Sequence, residues 1–201
     1  MCGRFTLTRP EALRRTFPRL NFEEFSEYRL PRYNIAPAQA VIGVRNDGRD
    51  RVEAMHWGID RRINARAETV AGRRTPRRCV VFADGFFEWK ARQPIYFTMR
   101  DASPFAFAGV WQPGRDGLAS CAIVTCPPNE LVAPVHDRMP VVLPGSAIEL
   151  WLSQEELGAE PMRAMLRAYD AAAMSARPVS MRVNNARYDA ADVLPTGGAT
   201  S

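Results

Sequence analysis

A cysteine stands at position 2 of this 201-residue chain, in the opening run Met1-Cys2-Gly3-Arg4. Methionine aminopeptidases trim Met1 before a small second residue, which would make Cys2 the N-terminus. A free α-amine and a thiol would then sit on adjacent carbons. Their ordinary pKa values are about 8 and about 8.5, so both are partly nucleophilic near neutral pH. An aldehyde can form an imine with such an amine, and the thiol can then add to the imine carbon and close a five-membered thiazolidine. An internal cysteine cannot do this, because its nitrogen is held in a peptide bond. Met-Cys starts also arise by chance, and on these residues alone an inert cysteine is the plainer reading. A cysteine freed in this way could equally serve a hydrolase, as a nucleophile with its own amine as base.

Further chemistry-bearing residues are spread along the chain. Phe86-Phe87-Glu88-Trp89 sets one carboxylate among three aromatics. Such a glutamate either lies on the polar face of a strand or is held in a pocket with a raised pKa. Val135-His136-Asp137-Arg138-Met139-Pro140 is a polar island in a predicted loop, and a histidine between Asp and Arg there is a better site candidate than a lone one. Residues 61–78 carry Arg61, Arg62, Arg66, Arg73, Arg74, Arg77 and Arg78. This run is either a solvated loop or a phosphate-facing surface.

Composition bounds the class. The 46% hydrophobic and 24% charged content is that of an ordinary globular domain, and the length suits a single one. Net charge is +5, and Lys90 is the only lysine. That suits a polyanionic partner but also a GC-rich genome. Residues 1–20 lack the apolar run of a signal peptide, and no window could span a membrane, so a cytoplasmic protein is expected. Cys2, Cys79, Cys121 and Cys126 are expected as thiols, and with only His56 and His136 beside them no structural zinc site is expected.

Patterning predicts the frame. Thr8 and Glu11 have the spacing of a capping box for a helix to about Phe17. Residues 21–32 are irregular, and Arg32 to Pro37 is extended. Gln39 to Arg45 and Arg51 to Trp57 form a hairpin around Asn46-Asp47-Gly48. Cys79 to Phe82 is a strand that turns at Ala83-Asp84-Gly85. Ile95 to Met99, Phe105 to Trp111 and Ala119 to Thr125 are three more. Ser146 and Glu149 suggest a second capping box, for a helix through Leu152. Helical periodicity covers Pro161 to Tyr169, and Val179 to Val183 reads as a last strand. This is a single α+β domain over 1–194, mainly antiparallel β with helices outside, followed by a disordered tail over 195–201.

Several fragments, in this order, resemble one family. They are Met1-Cys2-Gly3-Arg4-Phe5, Tyr33-Asn34-Ile35-Ala36-Pro37, Trp57-Gly58, Asn64-Ala65-Arg66-Ala67-Glu68-Thr69, Ala83-Asp84-Gly85-Phe86-Phe87-Glu88-Trp89 and His136-Asp137-Arg138-Met139-Pro140. Together they resemble the SOS-response-associated peptidase (SRAP) family, from Cys2 to about Asn185. The resemblance implies a compact, barrel-like β fold with short peripheral helices and a positively charged groove. It implies a sensor of abasic sites in single-stranded DNA that cross-links to them through Cys2, in the DNA damage response. It casts Glu88 as general acid/base, His136 as the group that protonates or stabilises the sugar oxygen, and Asn64 as the residue that positions the Cys2 amine. Arg4, Arg66 and Arg138 would hold phosphates. Trp57, and less so Trp89, would stack on bases or pack the site wall, a core position being the plainer reading more for Trp89 than for Trp57, and Asn34 and Thr125 would complete the DNA interface. The implied partners are single-stranded DNA with abasic sites and, beyond it, replication-fork machinery, with nucleoid association when bound. A monomer without metal or cofactor is expected. Family members carry a longer loop between Gly58 and Asn64, a proline where Phe82 stands, and a more polar run where Cys126-Pro127-Pro128 stands. Two other readings compete: an N-terminal-nucleophile peptidase or amidohydrolase, and a non-catalytic single-strand-binding module.

Overall fold

The computed structural model describes residues 2–22, 30–72, 77–114 and 117–194. Arg73, Arg74 and the 195–201 tail lie outside the described residues, as does most of the 21–32 stretch.

Two sheets carry the chain. Strands β1 (Arg4–Leu7), β2 (Arg32–Ile35), β7 (Gly85–Lys90), β8 (Gln93–Met99) and β13 (Met174–Pro178) form an antiparallel sheet in the order β13-β8-β7-β1-β2. In the second sheet, β3 (Ala40–Arg45) pairs with β4 (Glu53–Trp57) and β6 (Arg78–Ala83). The latter pairs with β9 (Phe105–Gln112), and β9 with β10 (Ser120–Cys126), which returns to β4 in parallel. These five strands close into a barrel, which removes the sheet edges that would otherwise invite pairing with another chain. At its rim β5 (Asn64–Arg66) pairs β10 in parallel, while β11 (Met139–Pro140) and β12 (Val142–Leu143) pair β10 and β9 antiparallel. The expected mainly antiparallel α+β architecture is what folds, with two parallel contacts at β10.

The first sheet lays one face on the barrel. Phe5 meets Trp57 and Phe107 edge-on, with ring centroids 5.1 and 5.6 Å apart. Phe86 stacks on Phe97 at 5.0 Å and meets Phe107 at 6.1 Å. Each such ring contributes roughly 1.5–3 kcal/mol by burial. Side chains alternate faces along a strand, so Phe87 points the other way, against Tyr96, Val183 and Val193. Thus β7 is covered on both faces from Gly85 to Glu88. A Cβ at Gly85 would lie 2.3 Å from the Tyr96 ring, whose hydroxyl reaches Thr6 Oγ1 at 2.8 Å.

The helices are short: α1 (Pro10–Thr16), α2 (Ala67–Ala71), α3 (Gly145–Leu152) and α4 (Ala159–Met165). Neither expected capping box forms. Arg9 is the N-cap of α1, and its side chain makes no cap bond. Buried Asp84 accepts instead from Thr8 N at 2.6 Å and Arg9 N at 3.0 Å, because the β6–β7 corner brings a stronger acceptor to that end. Helix α3 starts directly after Pro144, ahead of Ser146. Helix α4 stops well short of Tyr169. The last strand lies earlier than expected, at Met174–Pro178. Residues 181–184 wind into a 3₁₀ turn, where Ser180 accepts from Arg182 N.

Candidate active site and nucleic-acid interface

Sheet register brings the first candidates together. Arg4 pairs with Phe87 across β1 and β7. Continuing that antiparallel register sets Glu88 opposite Gly3, beside Cys2. Glu88 and Phe86 share a face, so the carboxylate points the same way as the barrel-facing rings. Cys2 is fully buried and Glu88 is 2% exposed. Burial pushes the Cys2 thiol well above its ordinary range, and the Glu88 charge adds to the rise. Burial also raises Glu88 to about 7, with the nearby Asp137 charge adding to it. Of the two readings of Glu88, the structure takes the pocket one.

His136 approaches from the segment before β11. Its Nε2 lies 3.9 Å from Glu88 Oε2, and its side chain is 27% exposed. Burial lowers the imidazole below its ordinary value, which favours the neutral ring at physiological pH. Nδ1 lies 3.0 Å from the Arg138 amide and 3.0 Å from Asp137 Oδ1. In the neutral ring Nδ1 accepts the amide hydrogen and Nε2 carries the proton toward Glu88. When charged, Nδ1 donates to Asp137. Sequence reasoning assigned no role to Asp137; its place between His136 and Arg138 was the available signal.

Asn64 stands on β5, where Nδ2 donates to Ile123 O at 3.4 Å. Its Oδ1 is buried without a hydrogen-bond partner among the described residues. Such an acceptor is costly to leave unmet and is suited to an incoming N–H. Beside it, exposed Arg66 pairs in register with Thr125.

The expected DNA-binding set divides. Arg4 donates through Nη1 to Asn34 Oδ1 at 3.0 Å and Val183 O at 2.6 Å, with its guanidinium 6.0 Å from the Trp89 ring. Trp89 is half-buried and donates to Asn184 Oδ1. Trp57 reverses the expectation: it is fully buried, donates to Ile63 O at 2.9 Å and packs on Phe5, so its ring offers no free face for a base. Of the two tryptophans, Trp89 is the accessible one. Asn34 is also buried, and its Nδ2 serves Val183 O, Asn185 O and Tyr188 O. It ties the chain's last segment to β2 instead of presenting a side chain to DNA. Thr125 is buried, with Oγ1 directed at Ala65 O.

Two arginines also find internal partners. Arg138 grips Glu68 with both ends of its fork, at 2.7 and 3.0 Å, and donates to Thr125 O. The Arg138 hydrogen bonds hold Glu68 down at about 2. Glu68 sits in a motif quoted above, yet no role was read for it. Arg78, counted with the phosphate-facing arginines, is buried and donates to Trp151 O, Ser153 O and Glu155 O. It satisfies the carbonyls that end α3. Arg61, Arg62, Arg66 and Arg77 stay exposed.

Among the described residues no three His, Cys, Asp or Glu side chains converge as a metal site requires, and no helix is long and apolar enough to cross a membrane.

Comparison with known proteins places the chain in a family. The family model for the SOS response associated peptidase (SRAP) matches residues 1–186. The chain is 33% identical over 224 residues to the abasic site processing protein YoqW of Bacillus subtilis, covering 96% of this chain and 99% of that one. It is 29% identical to the abasic site processing protein YedK of Escherichia coli, again over 96% and 99%. A solved structure from Bacteroides thetaiotaomicron superposes with a TM-score of 0.75 over 89% of this chain and 92% of that one, at 21% identity, which speaks for the fold alone. A chain matched by the family model over nearly its whole length, with its relatives covered almost end to end, belongs to the SOS response associated peptidase family.

Proposed function

We propose that this protein processes abasic sites in single-stranded DNA by capturing them covalently through Cys2. The observation that carries the reading is the pairing of a buried Cys2 with a carboxyl, Glu88, held at about 7. A group poised near the working pH can both give and take a proton. The names of the relatives, abasic site processing proteins, agree with this substrate.

The chemistry balances without an oxidant or reductant. With Met1 removed, the Cys2 amine adds to the open aldehyde of the abasic sugar and gives a carbinolamine. Loss of water gives the imine. The thiol sulfur then bonds to the imine carbon, and the thiol proton passes through Glu88 to the ring nitrogen as the thiazolidine closes. The raised thiol pKa makes such a base necessary, because the thiolate is scarce unaided. In the preceding dehydration Glu88 gives a proton to the departing hydroxyl and recovers one from the carbinolamine nitrogen as the imine forms. Neutral His136 donates from Nε2 to the sugar oxygen as the ring opens. Asn64 Oδ1 accepts from the amine and orients it without adding charge that would raise its basicity. Arg4, Arg66 and Arg138 take the neighbouring phosphates, and Arg138 must first leave Glu68.

Intact mass before and after incubation with a strand carrying one abasic site tests this. Expected is loss of Met1 and a heat-stable adduct smaller than the summed masses by one water. Cys2→Ala should give no adduct while still binding the strand. An adduct with Cys2→Ala, or none with the trimmed protein, overturns the proposal. Peptide release that depends on Cys2 and ignores DNA would favour the hydrolase reading instead.

A further inference from the structure

A second cleft opens on the barrel wall next to Asn64. Its volume is ≈ 490 Å³, and Ile59, Arg62, Asn64, Arg66, Arg77 and Trp111 line it. That size lies within the ~300–1,000 Å³ of small-ligand sites. A tight turn forms part of its wall. Ile59 and Arg62 exchange both backbone hydrogen bonds, at 2.9 and 2.7 Å, while Asp60 and Arg61 take left-handed φ values of 47° and 67°. These are the marks of a two-residue hairpin turn.

Charge and shape in the cleft point to one kind of ligand. Arg66 and Arg77 are exposed; Arg77 has no carboxylate within ion-pair distance among the described residues, and Arg66 feels Glu68, a carboxylate already gripped by Arg138. Among the described residues Arg62 has only Asp60, 3.8 Å away and 70% exposed, a contact of little weight in water. Arg77 lies over the Trp111 ring, 5.3 Å from its centroid. The ring is pinned on two sides. Its Nε1 donates to Asn46 Oδ1 at 3.0 Å, and Arg45, held by Glu53 and Asp47, sits 4.5 Å away. A guanidinium stacked on a fixed indole loses little freedom when it grips a planar anion. Two weakly neutralised guanidiniums, Arg62 and Arg77, above an apolar floor suit a phosphate joined to a base. Asn64 and Arg66 line this cleft and also belong to the site above, so a strand held there can run on into the cleft.

We propose that this cleft is a second nucleotide subsite, holding the phosphate and base of single-stranded DNA beside the lesion, with Arg62, Arg77 and Trp111 as its own residues. The proposal rests on the DNA-binding part of the function above but not on Cys2 chemistry.

The test uses the full chain and an unmodified ten-nucleotide deoxythymidine strand. The indole N–H resonance of Trp111 is followed by NMR, and affinity by fluorescence anisotropy across salt. The expected result is a shift of the Trp111 signal in the wild type that is lost in an Arg62→Ala/Arg77→Ala double variant. Affinity should fall several-fold, and the salt slope should drop by about 1.4, two phosphate contacts' worth on a single strand. Both replaced side chains are exposed, so the fold stays intact. A shift confined to Trp89, or a double variant with wild-type affinity and slope, overturns the subsite. Thymidine 5′-monophosphate moving Trp111 as strongly as the strand would overturn it in favour of a free-nucleotide site. Failure of adduct formation with an abasic strand would sink the covalent reading and leave this result standing, so the two failures are distinguishable.

Discussion

Glu88 sits between two demands. The proposed catalysis needs a carboxyl that changes protonation near neutrality, and folding would do better without a buried one. Its folded pKa of about 7 lies above the 4.5 of the free side chain, so the folded state binds the extra proton. Stability from this group is therefore full below about pH 4.5 and is lost as pH rises through 7. Glu88→Gln should be close to neutral for stability at pH 4.5 and stabilising by at most about 3 kcal/mol at pH 8. Denaturant midpoints at the two pH values check this, and equal effects at both would mean that Glu88 ionises as it does in water. The same variant should flatten an inflection near pH 7 in the rate of adduct formation. Residue types and motif order nominated Cys2, Asn64, Glu88 and His136, and the fold sets Glu88 near Cys2 and His136. They could not tell which of Trp57 and Trp89 is accessible, because that depends on which ring the closed barrel encloses. Nor could they show that Asn34 spends its amide on the chain's last segment, a contact more than 140 residues away in sequence.

At the scale of elements, the strands were legible and the helix ends were not. Short apolar runs bounded by turn residues announced β3, β4, β8, β9 and β10 nearly in place, since strands covered on both faces read as continuous apolar segments. Helix boundaries were misread because their partners come from elsewhere in the fold. Asp84, read as part of a turn, accepts from Thr6 Oγ1 and Thr8 Oγ1 as well as the two amides that open α1. Arg78 does the reverse duty at the end of α3. Asp84→Ala should cost about 3 kcal/mol and lower the thermal midpoint by roughly 6–12 °C, since buried donors lose a charged acceptor. A calorimetric scan reads it, and a drop under 2 °C would mean that the corner holds α1 without it. No comparable loss is expected from Thr8→Ala, because the amides keep Asp84.

Across the whole molecule, net charge of +5 was visible at once, but not which arginines carry it outward. The fold buries Arg78, commits Arg138 to Glu68 and leaves Arg62, Arg66 and Arg77 facing solvent. Any phosphate that reaches Arg138 has to displace a carboxylate that stays ionised down to about pH 2. Glu68→Gln should therefore raise single-strand affinity several-fold and steepen the log–log salt dependence by about 0.7. Anisotropy titrations at several salt concentrations test it, and an unchanged slope would show that Arg138 meets no phosphate. The central place of β1 also has a consequence in time. Cys2 leaves the ribosome first, yet the strand that shelters it, β7, lies some eighty residues later, and the carbonyl that fixes Arg4 belongs to Val183. At about 5–20 residues per second, roughly ten seconds or more pass before the last of these partners is made. Throughout that interval the start of the chain is an accessible tail. An aminopeptidase that acts during synthesis meets the segment ahead of β1 before its sheet exists, so in the covalent reading the pace of synthesis against trimming sets how much of a preparation is reactive.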